Sequence, residues 1–313
     1  MRGTIVLRRA VFGEKAFLPL SPEKAENLRR AIADIKEMFD VEQKFDIVLA
    51  NFVELEQEVA NRALHFAFYS EHNGRALLED KQAFNRRTIN FLTAAKLYID
   101  QAKHHIKAFF ADNPGAGEAL DRAFTDEYDG HLGYRVMEAL RNYSQHRGLP
   151  LQGLSHHARW LNMNTPERVM EFNVSLNLVT AELTADGKFK ASVLKELHDR
   201  GKTIDIKLMI RQYVECLGRA HTRFRELVKA RIDAARATLV QTAAEFTAIC
   251  TESDPLIGLA VAQQHEDGTY TVLDYYPSQT LEYLDILQNR SRMLANLSRR
   301  RVSTGSVETE NRP

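Results

Sequence analysis

Hydrophobic residues recur every three or four positions along most of the chain, which is the spacing that places them on one face of an α-helix. In residues 42–69, for example, apolar side chains stand at positions 45, 48, 49, 52, 55 and 59. Ser21 followed by Pro22 indicates a helix start, because serine caps free backbone N–H groups and proline fits the first helical position. The pattern predicts a short strand at 4–7 and helices at 22–40, 42–69, 76–111, 117–128 and around 140–147.

Two later segments alternate apolar and polar residues, as half-buried β-strands do. A β-hairpin is predicted over residues 154–183, with its turn at 164–166, and Asp186-Gly187 closes it. A second hairpin is predicted over 256–276, with its turn at 266–268. Further helices are predicted at 191–200, 204–251 and 278–301, and the polar tail, residues 302–313, is expected to be disordered.

These elements predict a mainly α fold, a bundle of long antiparallel helices with two β-hairpin insertions. Residues 1–150 form the helical bundle in this interpretation. Residues 151–301 then add a hairpin, a long helix, a second hairpin and a final helix. Because the chain has no clear linker, we expect both parts to pack as one continuous domain.

Composition excludes several classes of protein. Lys plus Arg and Asp plus Glu both number 42 in the 313 residues, so net charge indicates neither a nucleic-acid nor a membrane partner. The sequence has no apolar run long enough for a signal peptide or a membrane span. Its two cysteines, Cys216 and Cys250, form no CxxC pair, which argues against a disulfide framework and a zinc knuckle. We therefore expect a cytoplasmic protein without a bound metal or cofactor.

The stretch LRNYSQHRGLPL, residues 140–151, carries the clearest candidate chemistry. Residues 131–160 contain four Arg, four His and a single acid, Glu138. On a helix, Arg141 and His146 border the apolar stripe on opposite sides, and Asn142 shares the His146 flank. The ordinary interpretation is a basic helix end that complements the helix dipole. The alternative is a site that acts on a negatively charged ligand.

Arg141-Asn142, three further residues and His146 resemble the motif of the HEPN superfamily, an arginine, a polar residue, three to five residues and a histidine. The resemblance implies a helical bundle and, in many members, a metal-independent endoribonuclease of toxin–antitoxin, phage-defence or RNA-processing systems. It also implies a homodimer, because members commonly bring two copies of the motif into one cleft.

RNA cleavage without a metal requires a base for the 2′-hydroxyl, an acid for the leaving oxygen and positive charge near the phosphate. In this hypothesis His146 transfers protons, Arg141 binds the phosphate and Asn142 orients the histidine or the phosphate. A single histidine cannot serve both ends of the reaction at once, which is a further reason to expect a homodimer.

Other residues have weaker functional interpretations. Arg147, Arg159 and Trp160 are candidate RNA contacts, although the only Trp of a chain is more often a core anchor. Two adjacent histidines point in different directions, so the two rings of the pair at 104–105, or of the pair at 156–157, cannot bind the same metal ion. The pair at 104–105 is expected to be a solvated face of its helix. The acidic segment 126–131 is expected to be a solvated turn, with a negative patch that meets the basic one across a dimer as the alternative. The five arginines in 290–301 are expected to form a solvated helix end, with RNA contact as the alternative.

The sequence therefore favours a HEPN-like endoribonuclease that acts as a toxin or phage-defence effector. Its expected partners are RNA, a second copy of the chain, and an antitoxin or regulatory protein, with no membrane. The alternative function is that of a non-catalytic helical interaction or RNA-binding protein.

Overall fold

The computed structural model describes residues 4–11, 16–69, 74–111, 113–166, 168–251 and 254–303. The fold is mainly α, with 66% helix and 15% strand, as the sequence predicted. The helices are α1 (Pro22–Phe68), α2 (Gly74–Phe109), α3 (Pro114–Gly130), α4 (Leu132–His146), α5 (Thr180–Asp186), α6 (Ala191–His198), α7 (Lys207–Thr247) and α8 (Ser278–Arg290). The strands are β1 (Thr4–Arg9), β2 (Phe17–Pro19), β3 (Gly153–Leu161), β4 (Val169–Val179), β5 (Thr203–Asp205), β6 (Leu259–Gln264) and β7 (Tyr270–Tyr275). Most of the expected tail, residues 304–313, lies outside the described residues.

Helix α1 is one continuous helix of 47 residues, so the predicted division near residue 41 is wrong. Its start is as predicted, because the Ser21 hydroxyl accepts a hydrogen bond from the Lys24 N–H at 3.2 Å. The sequence offers no glycine or proline near residue 41 that could end a helix. Val41 and Glu42 are both buried against neighbouring helices, which continues the packed face across the predicted break.

Helices α1 and α7 run antiparallel and are joined along their length by ion pairs. As the residue number rises on α1, the number of the partner on α7 falls, which fixes the antiparallel arrangement. The pairs are Lys24–Glu245, Asp34–Arg231 (2.7 Å), Glu42–Arg225 (2.6 Å) and Glu56–Arg211 (2.6 Å). Between them the two helices bury a shared apolar core that includes Ile35, Phe45, Leu217 and Phe224.

The two predicted hairpins exist, and each is extended by strands from elsewhere in the chain. Strand β1 pairs with β6, which gives a four-stranded sheet in the order β2-β1-β6-β7. The other sheet is three-stranded, in the order β3-β4-β5. Residues 180–183, predicted as part of the first hairpin, instead begin α5, which ends at Gly187 with φ +68°. Glycine suits that left-handed position because it lacks a Cβ.

The final helix is shorter than predicted. Helix α8 ends at Arg290, and two short 3₁₀ turns, Ser291–Met293 and Leu297–Arg299, follow it. This segment packs on α7, where Leu294 lies against Gly218. The five arginines in 290–301 are exposed as expected, but only Arg290 stands at the helix end and the other four follow α8. No helix in the described ranges has both the length and the apolar character needed to cross a membrane.

Candidate functional site

The motif occupies the last two turns of α4. Val136, Met137 and Leu140 are fully buried and hold this helix against the bundle. The helix ends at His146, where the Arg147 N–H donates to the Tyr143 carbonyl at 2.8 Å, before Gly148 and Pro150. Packing of the apolar face therefore fixes the positions from which the polar residues of the motif project.

Arg141 is half-buried and, among the described residues, has no carboxylate partner. Its Nη1 donates to Asn142 Oδ1 at 2.9 Å, while its Nε is buried without a hydrogen-bond acceptor in the same described part of the chain. Arg135 on the same helix differs, because Glu196 binds it through both oxygens. A half-buried guanidinium that no carboxylate neutralises among the described residues is suited to bind an incoming anion through its Nη nitrogens.

Asn142 and His146 are exposed on α4. The structure brings Asn142 together with Arg141, since the Asn142 side-chain oxygen accepts the Arg141 bond. In the described ranges no hydrogen bond joins Asn142 to His146, although their spacing of four would permit one. His146 lies at the solvent-facing end of the helix, so a ligand or a second copy of the chain can reach its ring.

The three candidate RNA contacts lie in two places. Arg147 is exposed beside the motif, whereas Arg159 and Trp160 lie near the far end of β3. Arg159 is bound to Glu171 on β4 at 2.5 Å, which neutralises part of the basic character expected there. Trp160 is 44% exposed and carries the Arg168 guanidinium 5.1 Å from its ring centre. The core-anchor interpretation of Trp160 is therefore wrong.

Two expectations about solvated side chains hold only in part. His104 is exposed as expected. His105 is buried, with its Nδ1 at 2.5 Å from Glu37 Oε1 and its Nε2 at 3.0 Å from Lys44 Nζ. The segment 126–131 is not a turn, because it includes the end of α3 and the cap of α4. Within it, Glu127 is bound by both nitrogens of the Arg219 fork.

The sequence pattern did not predict a buried polar network that lies between α1, α2 and α7. The Tyr98 hydroxyl donates to His221 Nδ1 at 2.9 Å, and His221 Nε2 donates to Glu42 Oε2 at 3.0 Å. Arg225 binds the same carboxylate at 2.7 and 2.6 Å. A carboxylate only accepts, so His221 must carry its proton on Nε2 and accept the tyrosine bond on Nδ1.

The electrostatics of this network are those of a sealed core. Burial alone would raise the pKa of Glu42, but the hydrogen bonds donated by His221 and Arg225 and the positive charge of Arg225 outweigh it and lower the pKa to about 2. Burial holds the pKa of His221 below its usual value, so the ring is neutral at pH 7. Glu42 and His221 are each 1% exposed, which leaves a substrate no access. The network stabilises the fold and is not an active site.

Comparison of the chain with protein-family models, with curated proteins and with solved structures finds no match.

Proposed function

We propose that the chain is a metal-independent endoribonuclease whose active site combines Arg141, Asn142 and His146 from two copies. One observation carries the proposal: a half-buried guanidinium without a carboxylate partner in the described residues lies on the same helix as an exposed histidine. Arg141 would bind the phosphate through its Nη nitrogens, and Asn142, which accepts a bond from Nη1, holds that guanidinium in place. Arg147, exposed at the next position after His146, adds positive charge for the RNA backbone.

The reaction follows from these groups. His146 of one copy accepts the 2′-hydroxyl proton, and the 2′-oxygen attacks the adjacent phosphorus. Arg141 stabilises the negative charge of the five-coordinate intermediate. The bond from phosphorus to the 5′-oxygen then breaks, and His146 of the second copy donates a proton to that oxygen. The products are a 2′,3′-cyclic phosphate and a 5′-hydroxyl end.

The decisive experiment is cleavage of single-stranded RNA by the purified chain in EDTA. Each step of general acid–base catalysis contributes roughly 100- to 10,000-fold to a rate, so His146→Ala should lower cleavage by at least about 100-fold. Arg141→Ala should have a loss of similar size, and Arg141→Lys should restore little, because an ammonium lacks the planar fork. The products should carry the two expected ends. A kinase should label the 5′-hydroxyl directly, and a phosphatase should leave the 2′,3′-cyclic phosphate intact.

His104→Ala is the matched control, since His104 is an exposed helical histidine far along the chain from the motif. Circular dichroism and gel filtration should show that all variants keep the helical fold. Cleavage that persists at the wild-type rate in both His146→Ala and Arg141→Ala would contradict the proposed site. Adding His146→Ala to the wild type should lower cleavage by more than dilution alone, because a mixed pair holds only one of the two histidines that the reaction uses.

The cellular setting forms part of the same proposal. A nuclease of this kind would act in the cytoplasm as a toxin or phage-defence effector, with an antitoxin or regulatory protein to restrain it.

A second candidate function is supported by the tip of the β3–β4 hairpin. Trp160 is 44% exposed, Met163 70% and Val169 56%, and Arg168 lies over the Trp160 ring. Exposed aromatic and apolar side chains beside arginine are typical of binding surfaces. The alternative is thus a non-catalytic interaction or RNA-binding protein that uses this hairpin.

The same RNA preparation separates the two functions. A non-catalytic RNA-binding protein would show Trp160→Ala weakening binding while His146→Ala leaves binding and RNA integrity unchanged. A nuclease would show the opposite pattern: His146→Ala abolishes RNA cleavage, and Trp160→Ala changes at most the affinity for RNA.

A further inference from the structure

Three potential metal ligands meet where the junction of α3 and α4 packs on α7. Glu127 and His131 stand one helical turn apart at this junction, and Cys216 faces them from α7. One ligand atom from each residue lies within 4.8 Å of the other two. Carboxylate oxygen, imidazole nitrogen and thiolate sulfur are all ligands of Zn²⁺, whereas Mg²⁺ and Ca²⁺ require mainly oxygen.

The three ligand atoms surround a single point, and the Arg219 guanidinium occupies it. Arg219 Nη2 lies 2.6 Å from Glu127 Oε2, 3.3 Å from His131 Nε2 and 3.3 Å from Cys216 Sγ. The donor groups are therefore already gathered around one positive charge. A zinc ion at this point would need the ligands to close in by about 1 Å, since Zn–N and Zn–S bonds are about 2.0 to 2.3 Å long.

The His131 ring lies against both the side chain and the main chain of Glu127. Its Nδ1 is 3.1 Å from Glu127 Oε2 and donates to the Glu127 backbone carbonyl at 3.2 Å. Metal-binding histidines almost always donate their second ring N–H to a carbonyl or carboxylate in this way. Because Nδ1 carries the proton, Nε2 is the ring nitrogen that accepts from Arg219 and that would bind zinc.

We propose that Glu127, His131 and Cys216 form a Zn²⁺ site that Arg219 fills when zinc is absent. The exchange balances charge. Without zinc, the Glu127 carboxylate and the Arg219 guanidinium cancel, and the thiol carries its proton. With zinc, the carboxylate and the Cys216 thiolate cancel the two positive charges of the ion. The thiol proton passes to solvent, and the Arg219 side chain moves away from the ligands.

The surroundings permit this exchange. Arg219 has a side chain that is 46% exposed, and it borders a groove of about 410 Å³ that Arg122, Asp126 and Arg223 also line. The guanidinium can therefore move into solvent without disturbing the core. Glu127 also lines this groove, so water can enter from the Glu127 side and complete the tetrahedral coordination that three protein ligands leave open.

The test is a zinc titration of the full chain after EDTA treatment and dialysis, with a chromogenic chelator as competitor. We expect one Zn²⁺ per chain. His131→Ala and Cys216→Ser should each weaken binding by at least about tenfold. Arg219→Gln removes the competing cation, so it should strengthen binding on the order of tenfold. A role confined to the ion pair with Glu127 would not produce this gain in affinity.

Cys250→Ser and His104→Ala are the matched controls, and neither should change zinc affinity. Co²⁺ supplies a readout that does not depend on stability. The sulfur-to-cobalt absorption band should appear in the wild type, Arg219→Gln and Cys250→Ser, and be absent in Cys216→Ser. Failure of the wild type and Arg219→Gln to bind one zinc ion, a cobalt band that survives in Cys216→Ser, or unchanged affinity in Arg219→Gln would each overturn the proposal. None of these results depends on ribonuclease activity.

Discussion

Glu42 joins α1 to α7 through a buried carboxylate. It accepts bonds from His221 and from Nε and Nη2 of Arg225 while only 1% of its surface is exposed. We predict that Glu42→Gln lowers the free energy of unfolding by roughly 3 to 5 kcal/mol, because it leaves the Arg225 charge without its counter-ion. Urea denaturation followed by circular dichroism measures the change.

Glu226→Gln is the matched control for this prediction. Glu226 forms an exposed pair with Arg223 on the same helix, at 3.0 Å, and its loss should cost less than about 0.5 kcal/mol. Equal effects of the two substitutions would contradict the idea that burial makes the Glu42 pair important.

The low pKa of Glu42 adds a dependence on pH. Its pKa is about 2 in the folded chain and 4.5 ordinarily, so its ionised form stabilises the fold above pH 4.5. That contribution, about 3 kcal/mol, is lost as pH falls from 4.5 towards 2. The wild type should therefore lose more stability over this range than Glu42→Gln, as urea midpoints at several pH values would show.

At the scale of elements, the close contact between α4 and α7 depends on a glycine. A Cβ at Gly133 would lie 2.7 Å from the Met209 carbonyl oxygen and 2.6 Å from Gln212 Oε1. Because a backbone atom cannot move aside locally, Gly133→Ala should displace the start of α4 and lower the free energy of unfolding by about 1 to 3 kcal/mol. Thermal unfolding measures the loss.

Gly117 provides the opposite case on α3. A Cβ there meets its nearest neighbour, Lys107 Cγ, at 4.0 Å, so alanine fits without strain. Gly117→Ala should raise stability by up to about 1 kcal/mol, because alanine is the better helix former. If Gly133→Ala were also stabilising, close packing would not be what requires Gly133.

The sequence predicted where helices and strands lie along the chain better than it predicted which of them pack or pair with one another. Helical periodicity located α2, α3, α6 and α7 to within a few residues, and alternation located both hairpins. The pairing of β1 with β6 escaped prediction because nothing local links strands about 250 residues apart. Periodicity also treats Glu42 and His221 as isolated polar residues, and only the antiparallel packing of their helices brings them together.

The candidate site shows the same limit. The spacing of Arg141, Asn142 and His146 placed them on one helix, and the structure adds which of them touch. Whether Trp160 is buried could not be derived from its neighbours, because that depends on what packs over the hairpin. Cys216 stands far along the chain from His131, so no local spacing indicated that these residues meet.

At the scale of the molecule, the series of ion pairs between α1 and α7 joins residues 1–150 to residues 151–301, the two parts into which the sequence interpretation divided the chain. Removing α7 would expose the apolar face of α1 that carries Ile35 and Phe45, and it would leave Asp34 and Glu42 without their arginines. Both losses act against folding of either part alone.

We therefore predict that a fragment of residues 1–150 does not fold by itself, and neither does the fragment 151–313. Each should show weak helical circular dichroism, fast amide hydrogen exchange and no cooperative urea transition. Mixing the two should restore helicity, because the interface they share forms the core. The intact chain should lose its helical signal and its Trp160 fluorescence at the same urea concentration. A fragment 1–150 with its own cooperative transition would instead show that the motif-bearing bundle is an independent domain.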